Sequence, residues 1–406
     1  MKSEQQNIFE GTRRLQMDES IELTIRSMQA YGPTHKHWAI AWSGGKDSTA
    51  TLTLIVWLIE SGKIQRPETL TVLFADTRLE LVPLMAAAHD IMDDLRELGI
   101  DVRIVMAPLD RRFFVYMFGR GVPPSGAGFR WCTGLIKIEP MAAELRQLVG
   151  TLGEKVLMIT GVRQGESAMR DQRIVMSCGK DGAECGQGWY QETLPAELCD
   201  TLAPLLHWRV CHIWEWLRNW APRAEYGDWS TKLVAEAYGG DEAEEKNART
   251  GCMGCPVASK DVALETIVER PSWAYLRPLL GLRAVFERLR SDPNFRKRMP
   301  AGERDAKGKL VKKQQRLGPL TMEARQWGMQ QVLTMQAACN ELAVAQGRRK
   351  VDILNPEEVA RIEELMAANT WPDKWTGEEP TAAVVQDQMY PDGSVWPVFD
   401  FLKSAA

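Results

Sequence analysis

The chain has 406 residues, room for two to three units of ordinary size, with 45% hydrophobic and 26% charged residues, proportions that exclude a disordered, collagen-like or fibrous chain. Fifty basic against fifty-four acidic residues give a net charge of -4, so no global attraction to nucleic acid or membrane is expected and any such binding must be local. The longest apolar run, residues 50–59, falls short of the roughly eighteen residues of a membrane span, and the opening MKSEQQNIFEGTRR has no apolar core of a secretory signal. A cytoplasmic protein with no membrane partner is the expectation.

Residues 1–36 read as a helical lead. His37–Trp42 (HWAIAW) is an apolar run that breaks at Ser43-Gly44-Gly45 and resumes as an apolar stretch through Gly62, the pattern of a buried strand, a tight turn and a helix. Residues 70–75 predict a second strand, 79–98 an amphipathic helix ending at Gly99, 102–106 a third strand and 155–160 a fourth. Strands alternating with helices of this length predict an α/β fold, a doubly wound and mostly parallel sheet with ligands beyond the carboxyl ends of its strands. On this reading the α/β domain spans 37–230, a Cys-x-x-Cys and basic segment 231–320, and a mostly helical extension 321–406. Residues 281–317 carry twelve Lys or Arg against four acids, a local charge of +8 that would suit phosphates or be a solvated face.

Eight cysteines are too dilute for a disulfide scaffold, so those that cluster point to metal or sulfur chemistry. In Cys252-Met-Gly-Cys255 the turn presents two thiols on one side, which suits a zinc, an iron-sulfur cluster or a redox dithiol; a buried apolar role is the alternative. Fifteen tryptophans are many, and Trp131, Trp208, Trp214 and Trp216 lie near the motifs as candidates to stack on a base. The five histidines show no metal spacing, and neither GxSxG nor HExxH is present.

Ser43-Gly44-Gly45-Lys46-Asp47-Ser48 places two glycines and a helix N-terminus where backbone amides can approach a phosphate, with Ser43, Lys46 and Ser48 as added donors. It is not a Walker A loop, because Asp47 follows Lys46 and Ile40 stands where the first glycine is needed. The hexapeptide resembles the PP-loop of the N-type ATP pyrophosphatases. The rest of the chain, to about residue 333, resembles the branch that holds the phosphoadenylyl-sulfate reductases and the DndC DNA-phosphorothioation proteins. Ala75-Asp76-Thr77 with Glu80 is similar to that branch's second strand-end motif, and Arg130-Trp131-Cys132-Thr133 with Lys137 and Pro140 to the block of its first cysteine. Gly161-Val162-Arg163-Gln164-Gly165-Glu166-Ser167 with Arg170 resembles its GxRxxES element. Residues 204–217 (PLLHWRVCHIWEWL) resemble a further block, with His212 where an Asp is usual. Thr250-Gly-Cys252-Met-Gly-Cys255-Pro256 resembles the cysteine pair of its iron-sulfur members. The segment around Lys307-Gly308, Arg316 to Thr321 and Arg325 resembles the C-terminal region of DndC proteins.

The resemblance implies an adenine nucleotide alpha hydrolase-like fold and an adenylating enzyme that uses ATP with Mg2+ and releases pyrophosphate. It makes Ser43, Lys46, Asp47, Ser48 and Arg163 catalytic, and Gly44, Gly45, Asp76, Thr77 and Arg170 nucleotide-binding. Cys132, Cys252 and Cys255 become ligands of a [4Fe-4S] cluster, its fourth ligand either another cysteine (Cys178, Cys185, Cys199, Cys211 or Cys339) or an open iron position. The implied partners are nucleic acid, DNA ahead of tRNA, a cysteine desulfurase as sulfur donor, and a second copy of the chain. A sulfonucleotide reductase, an RNA thiolase and a non-catalytic subunit of a defence or CRISPR-type system stay open beside it. Against the reductase, the chain ends WPVFDFLKSAA without the Glu-Cys-Gly-Ile-His of those enzymes, Glu184-Cys185-Gly186 being only a partial echo.

Overall fold

A computed structural model describes residues 15–126, 128–164, 195–238, 251–258, 260–299, 304, 307–309, 316–384, 387–389, 392 and 394–397. The chain forms two compact units that interleave along the sequence: Met1–Ala75, Pro83–Val105 and Ala142–Asn247 make the first, and Asp76–Val82, Met106–Met141 and Ala248–Ala406 the second.

The first unit opens with helix α1 (Met17–Tyr31), which presents Met17, Ile21, Thr24 and Met28 to the interior. Strand β1 (His37–Trp42) follows, then α2 (Lys46–Glu60), β2 (Thr69–Asp76), α3 (Val82–Glu97), β3 (Asp101–Met106), α4 (Glu139–Leu152), β4 (Val156–Ile159) and β5 (Cys199–Leu202). The strands make one sheet in the order β3-β2-β1-β4-β5, and β1 pairs in parallel with β2 (Trp42 opposite Phe74) and with β4 (Trp38 opposite Leu157). The α/β sheet is therefore as expected, and the four anticipated strands end within a residue or two of their places. β5 was not anticipated, because Cys-Asp-Thr-Leu is too short to show a period; its hydrogen bonds to β4 define it.

The order of strands places the candidate residues. The chain winds outward from β1 through β2 to β3, then returns to lay β4 on the other side of β1. That reversal opens a crevice at the carboxyl ends of β1 and β4, the position where doubly wound sheets bind ligands. β1 is anchored beneath it by Trp38, Ala39, Ile40 and Trp42, none more than 2% exposed. α2 buries Ala50, Leu52, Leu54, Ile55, Val56 and Leu58, together with Thr51 and Thr53, whose hydroxyls donate to carbonyls one turn back. Two short helices complete the unit, α5 (Val210–Glu215) and α6 (Lys232–Ala237).

The second unit is mostly helical. It contains two π-helical stretches (Val115–Gly119 and Gly134–Ile138), α7 (Val262–Val268), a 3-10 helix (Ala274–Leu280) and α8 (Gly281–Ser291). The antiparallel pair β6 (Arg296–Arg298) and β7 (Leu317–Leu320) follows, then α9 (Met322–Ala345), α10 (Pro356–Ala367) and a second pair, β8 (Asp387–Met389) with β9 (Val395–Pro397). Thr321 caps α9 through Ala324 N–H, and Asn355 with Glu358 forms a reciprocal capping box on α10, so each helix begins at a side-chain cap. Among the described residues no helix is long and apolar enough to cross a membrane.

Part of the basic strip turns inward, while Arg288, Arg304, Lys307, Lys309 and Arg316 are exposed. Arg296 is buried and donates to the Gly318 and Arg290 carbonyls, Arg298 to Ala382 O, Lys297 to Glu379 O and Arg290 to Pro256 O. These cations satisfy backbone carbonyls in β7, at the end of α8 and in the loops around residues 256 and 379–382.

Candidate functional site

In the first unit the glycine turn leaves β1 at Ser43 and enters α2 at Lys46. Gly44 has φ +71°, a left-handed conformation that a side chain resists, and a Cβ there would also meet Phe74, Ala88 and the Leu84 carbonyl. The two serines close the loop on itself: Ser43 N–H donates to Ser48 Oγ at 3.3 Å, the hydroxyls stand 3.1 Å apart, and Ser48 Oγ donates to Gly45 O at 3.1 Å. The first turn of α2 carries amides without an intrahelical acceptor, together with the positive end of the helix dipole. Lys46 Nζ pairs with Asp47 Oδ2 at 2.7 Å, and Arg163 Nε donates to Asp47 Oδ1 at 2.6 Å.

Arg163 reaches the loop because β4 ends beside it. A Cβ on Gly161 would stand 2.8 Å from Asp47 C, Ser48 Cα and Ser48 N, so only glycine permits this approach of backbone to backbone. Five of the expected residues (Ser43, Lys46, Asp47, Ser48 and Arg163) thus come together with Gly44 and Gly45. Arg170, with Gly165, Glu166 and Ser167, lies outside the described residues. Sequence reasoning missed Tyr238, whose hydroxyl accepts Lys46 N–H at 3.1 Å and whose ring lies 5.3 Å below Lys46 Nζ. Nothing near residue 238 marks it, since its partner is 192 positions away.

Asp76 and Thr77 belong to the second unit. Their polar groups are used locally: Asp76 Oδ1 accepts Arg78 N–H at 2.7 Å, Thr77 Oγ1 donates to Glu80 Oε1 at 2.5 Å, and Glu80 Oε2 accepts the N–H of Thr77 and Leu79. Arg78 holds φ +61°, a strained conformation for a residue with a side chain. Its guanidinium is drawn to the buried Glu358 at 3.2 Å and to Asp352 at 3.0 Å.

The Cys-x-x-Cys turn is tied to this stretch. Met253 N–H donates to Leu79 O at 2.8 Å, and Gly254, at φ +63°, donates its N–H to Asp261 Oδ2 at 2.8 Å. Cys132 sits in a single helical turn that runs directly into the π-helical stretch Gly134–Ile138 bearing Lys137. Burial pushes the Cys252 thiol up to about 11, against the pull of Lys137, with Glu80, Cys255 and Cys132 each pushing it further. Burial also raises the Glu80 carboxyl above its ordinary value, opposed by the Thr77 hydrogen bond and Lys137. The three expected thiols therefore share a neighbourhood although 120 residues separate Cys132 from Cys252.

They do not converge. Among the described residues no three His, Cys, Asp or Glu side chains are gathered to hold a metal ion, so the arrangement does not form the ligand set expected for a [4Fe-4S] cluster. Of the other candidates for a fourth ligand, Cys199 and Cys339 are buried, Cys211 is half-buried, and Cys178 and Cys185 lie outside the described residues.

A comparison with known families now bears on the loop. Residues 37–221 match the phosphoadenosine phosphosulfate reductase domain. The matched stretch begins at β1 and takes in the loop, Cys132, Arg163 and the His212 block. Among solved structures the chain is similar to a phosphoadenylyl-sulfate reductase from Candida auris in complex with phosphate (12% identity, 51% of this chain and 88% of that one, TM-score 0.32). It is also similar to the U34-tRNA thiolase NcsA from Methanococcus maripaludis with its [4Fe-4S] cluster (14% identity, 68% and 80%, TM-score 0.31). No curated protein sequence matches it.

The remaining candidates prove structural. Trp208, Trp214 and Trp216 are at most 2% exposed: Trp208 donates to Ser20 O and Thr24 Oγ1, and Trp216 to Thr53 Oγ1. Trp208 braces α1 and Trp216 braces α2, Trp214 packs on Tyr238, and none of the three is open to a base. Trp131 is half-buried, stacked on Phe113 at 5.2 Å, with its indole N–H on Pro123 O. His212, in the usual place of an Asp, accepts Arg209 N–H on Nδ1 and bonds Leu15 O through Nε2, which fixes α1 to this block.

Proposed function

We propose that the chain is an ATP-dependent adenylating enzyme of sulfur transfer. The observation that carries this reading is the loop at the mouth of the β1/β4 crevice. It offers a left-handed glycine, a helix N-terminus, a lysine and two serine hydroxyls in one place, and Asp47 aims Arg163 into the same mouth. The matched family domain supports the reading.

On this proposal the terminal phosphates of ATP lie on the amides of Gly44 to Ser48, with Lys46 and the hydroxyls of Ser43 and Ser48 as further donors. An acceptor oxygen attacks the α-phosphorus, the bond to the β-phosphate oxygen breaks, and pyrophosphate leaves stabilised by the same donors. Arg163 grips an anionic oxygen with the guanidinium edge left over from Asp47. Magnesium would neutralise charge on the phosphates. A sulfur nucleophile then displaces AMP from the activated acceptor. We assign that nucleophile to a persulfide carried by one of Cys132, Cys252 and Cys255 and loaded by a cysteine desulfurase. A second of these thiols then attacks the protein-bound sulfur of the S–S bond, which frees the thiolated acceptor and leaves a protein disulfide for a thiol reductant to reopen, and no step is routed through a cluster. The acceptor we favour is a DNA backbone phosphate, with tRNA second.

Pyrophosphate release from ATP tests the loop. The Ser43→Ala, Asp47→Ala double variant should fold as the parent does, because both residues are at the site and fill no core, and should lose at least about a hundredfold in turnover. Turnover at the parent's rate would reject the loop as the ATP site. Mass spectrometry of digested DNA and tRNA from cells with and without the gene then identifies the acceptor. The family match also favours a second reading, a sulfonucleotide reductase, which sulfite release from adenylyl sulfate by the purified protein would establish.

A further inference from the structure

The first amide of α2 is already engaged by the protein. Tyr238 follows α6 and is 3% exposed, and its ring packs edge-on against Trp214 with centroids 5.2 Å apart. Its hydroxyl accepts Lys46 N–H at 3.1 Å and lies 3.4 Å from where a Cβ of Gly45 would stand, so it occupies the glycine-lined side of the loop. The Lys46 ammonium is engaged as well, between Asp47 Oδ2 and the Tyr238 ring. Two of the donors that a phosphate would use are thus held by a neutral phenol and a neighbouring carboxylate.

We infer that the Tyr238 hydroxyl is a placeholder for a phosphate oxygen. The inference rests on the reading of the loop as the site of the ATP phosphates. A phosphate oxygen carries charge, and a hydrogen bond to a charged acceptor is about twice as strong as one to a neutral acceptor. The anion therefore takes Lys46 N–H from the phenol, which keeps its own proton, and no covalent bond changes. While no anion is bound, Tyr238 satisfies an amide of the first turn of α2 that has no acceptor within the helix. It thereby sets the affinity of the loop, because each binding event must first undo the Tyr238 contact. Tyr238 is a positioning residue in this scheme.

Calorimetric titration of the full chain with inorganic pyrophosphate tests the inference. Tyr238→Phe keeps the ring and its packing and removes the competing acceptor, so it should bind pyrophosphate about three- to tenfold more tightly than the parent, the range of one net hydrogen bond. Equal or weaker binding by Tyr238→Phe, with the parent binding normally, overturns the placeholder and leaves the loop as the phosphate site. Failure of the parent to bind pyrophosphate overturns the loop reading itself. Amide hydrogen exchange across Lys46 gives a readout that mere packing would not move. Without ligand the amide should exchange faster in Tyr238→Phe, and with saturating pyrophosphate the two proteins should be equally protected. Protection that stays lower in the liganded variant would mean that Tyr238 never leaves the amide, and overturns the inference.

Discussion

The loop of the first unit and the thiol region of the second carry the two halves of the proposed chemistry, and they are built in opposite ways. The loop is one run of six residues between a strand and a helix, and its polar groups bond one another at 2.7 to 3.3 Å or are met by Arg163 and Tyr238. The thiol region is assembled from stretches around residues 76–80, 131–137 and 252–261, joined through single contacts such as Met253 N–H to Leu79 O. The loop is held in shape by backbone geometry before any ligand arrives. In the thiol region the side chains are neighbours without being converged, and burial holds Cys252 as a neutral thiol. A preformed anion site and an unconverged sulfur site make sense together if sulfur chemistry must wait for adenylation.

The largest expected effect breaks the loop through its backbone. In Gly161→Ala the new methyl would lie 2.8 Å from three backbone atoms of Asp47 and Ser48, which no side-chain rotation relieves. Either β4 or the start of α2 must shift, at a cost of about 1–3 kcal/mol in stability. Because the shift falls on the amides themselves, pyrophosphate binding should drop about a hundredfold, while alkylation of the thiols in the second unit stays at the parent's rate. A variant that binds pyrophosphate as the parent does would show that the close approach of β4 is not what shapes the loop.

A smaller effect sharpens the contrast at Cys252. Its thiol is raised to about 11, so the reactive thiolate should increase about tenfold per pH unit from neutral pH up to that value, and alkylation near pH 7.5 should be about a hundredfold slower than for an exposed cysteine. Since the folded value lies above the unfolded one, the stability tied to this group is full below about pH 9 and declines as pH rises toward 11. Lys137→Met removes the one cation that pulls the value down and should slow alkylation further. Mass-spectrometric alkylation profiles check both statements, and a Cys252 that reacts fully at pH 7 would contradict the burial argument.

The two regions also differ in how far the sequence disclosed them. The loop was readable because its chemistry is contiguous: apolar strand, glycine pair, polar donors and helix follow one another, whereas Arg163, beyond β4, was legible through the resemblance of its block. The fold was readable for the same reason, apart from β5, whose four residues carry no period. The cysteines were readable as residues but not as a site. A ligand set depends on distances between side chains on separate segments, which spacing does not encode. Tyr238 was invisible because its partner is a backbone amide far away in the chain, and a backbone amide has no sequence signature. The inward part of the basic strip was not legible, because charge counts do not separate an arginine facing solvent from one that closes a carbonyl, as Arg296 does with Gly318.

The smallest effect concerns the departure from the resembled block, His212. Its Nδ1 accepts Arg209 N–H at 3.2 Å, so the proton sits on Nε2, which donates to Leu15 O at 3.0 Å. An aspartate in that place can accept the first bond and cannot donate the second. His212→Asp should therefore keep the cap on α5 and release the start of α1, lowering stability by about 1 kcal/mol while leaving pyrophosphate binding unchanged. Acid should do the same to the parent. His207, which bonds Ser20 O at 2.9 Å, has its pKa lowered by burial. A base whose folded value is depressed contributes stability that is complete above about pH 6.5, its unfolded value, and is lost as pH falls from there through the folded one. Limited proteolysis of α1 across pH 7.5 to 5.5 should show cleavage rising as pH falls in the parent, and already elevated at pH 7.5 in His212→Asp. If the two proteins resist cleavage equally throughout that range, the bond to Leu15 does not hold α1, and the histidine in this position has no advantage over the aspartate it replaces.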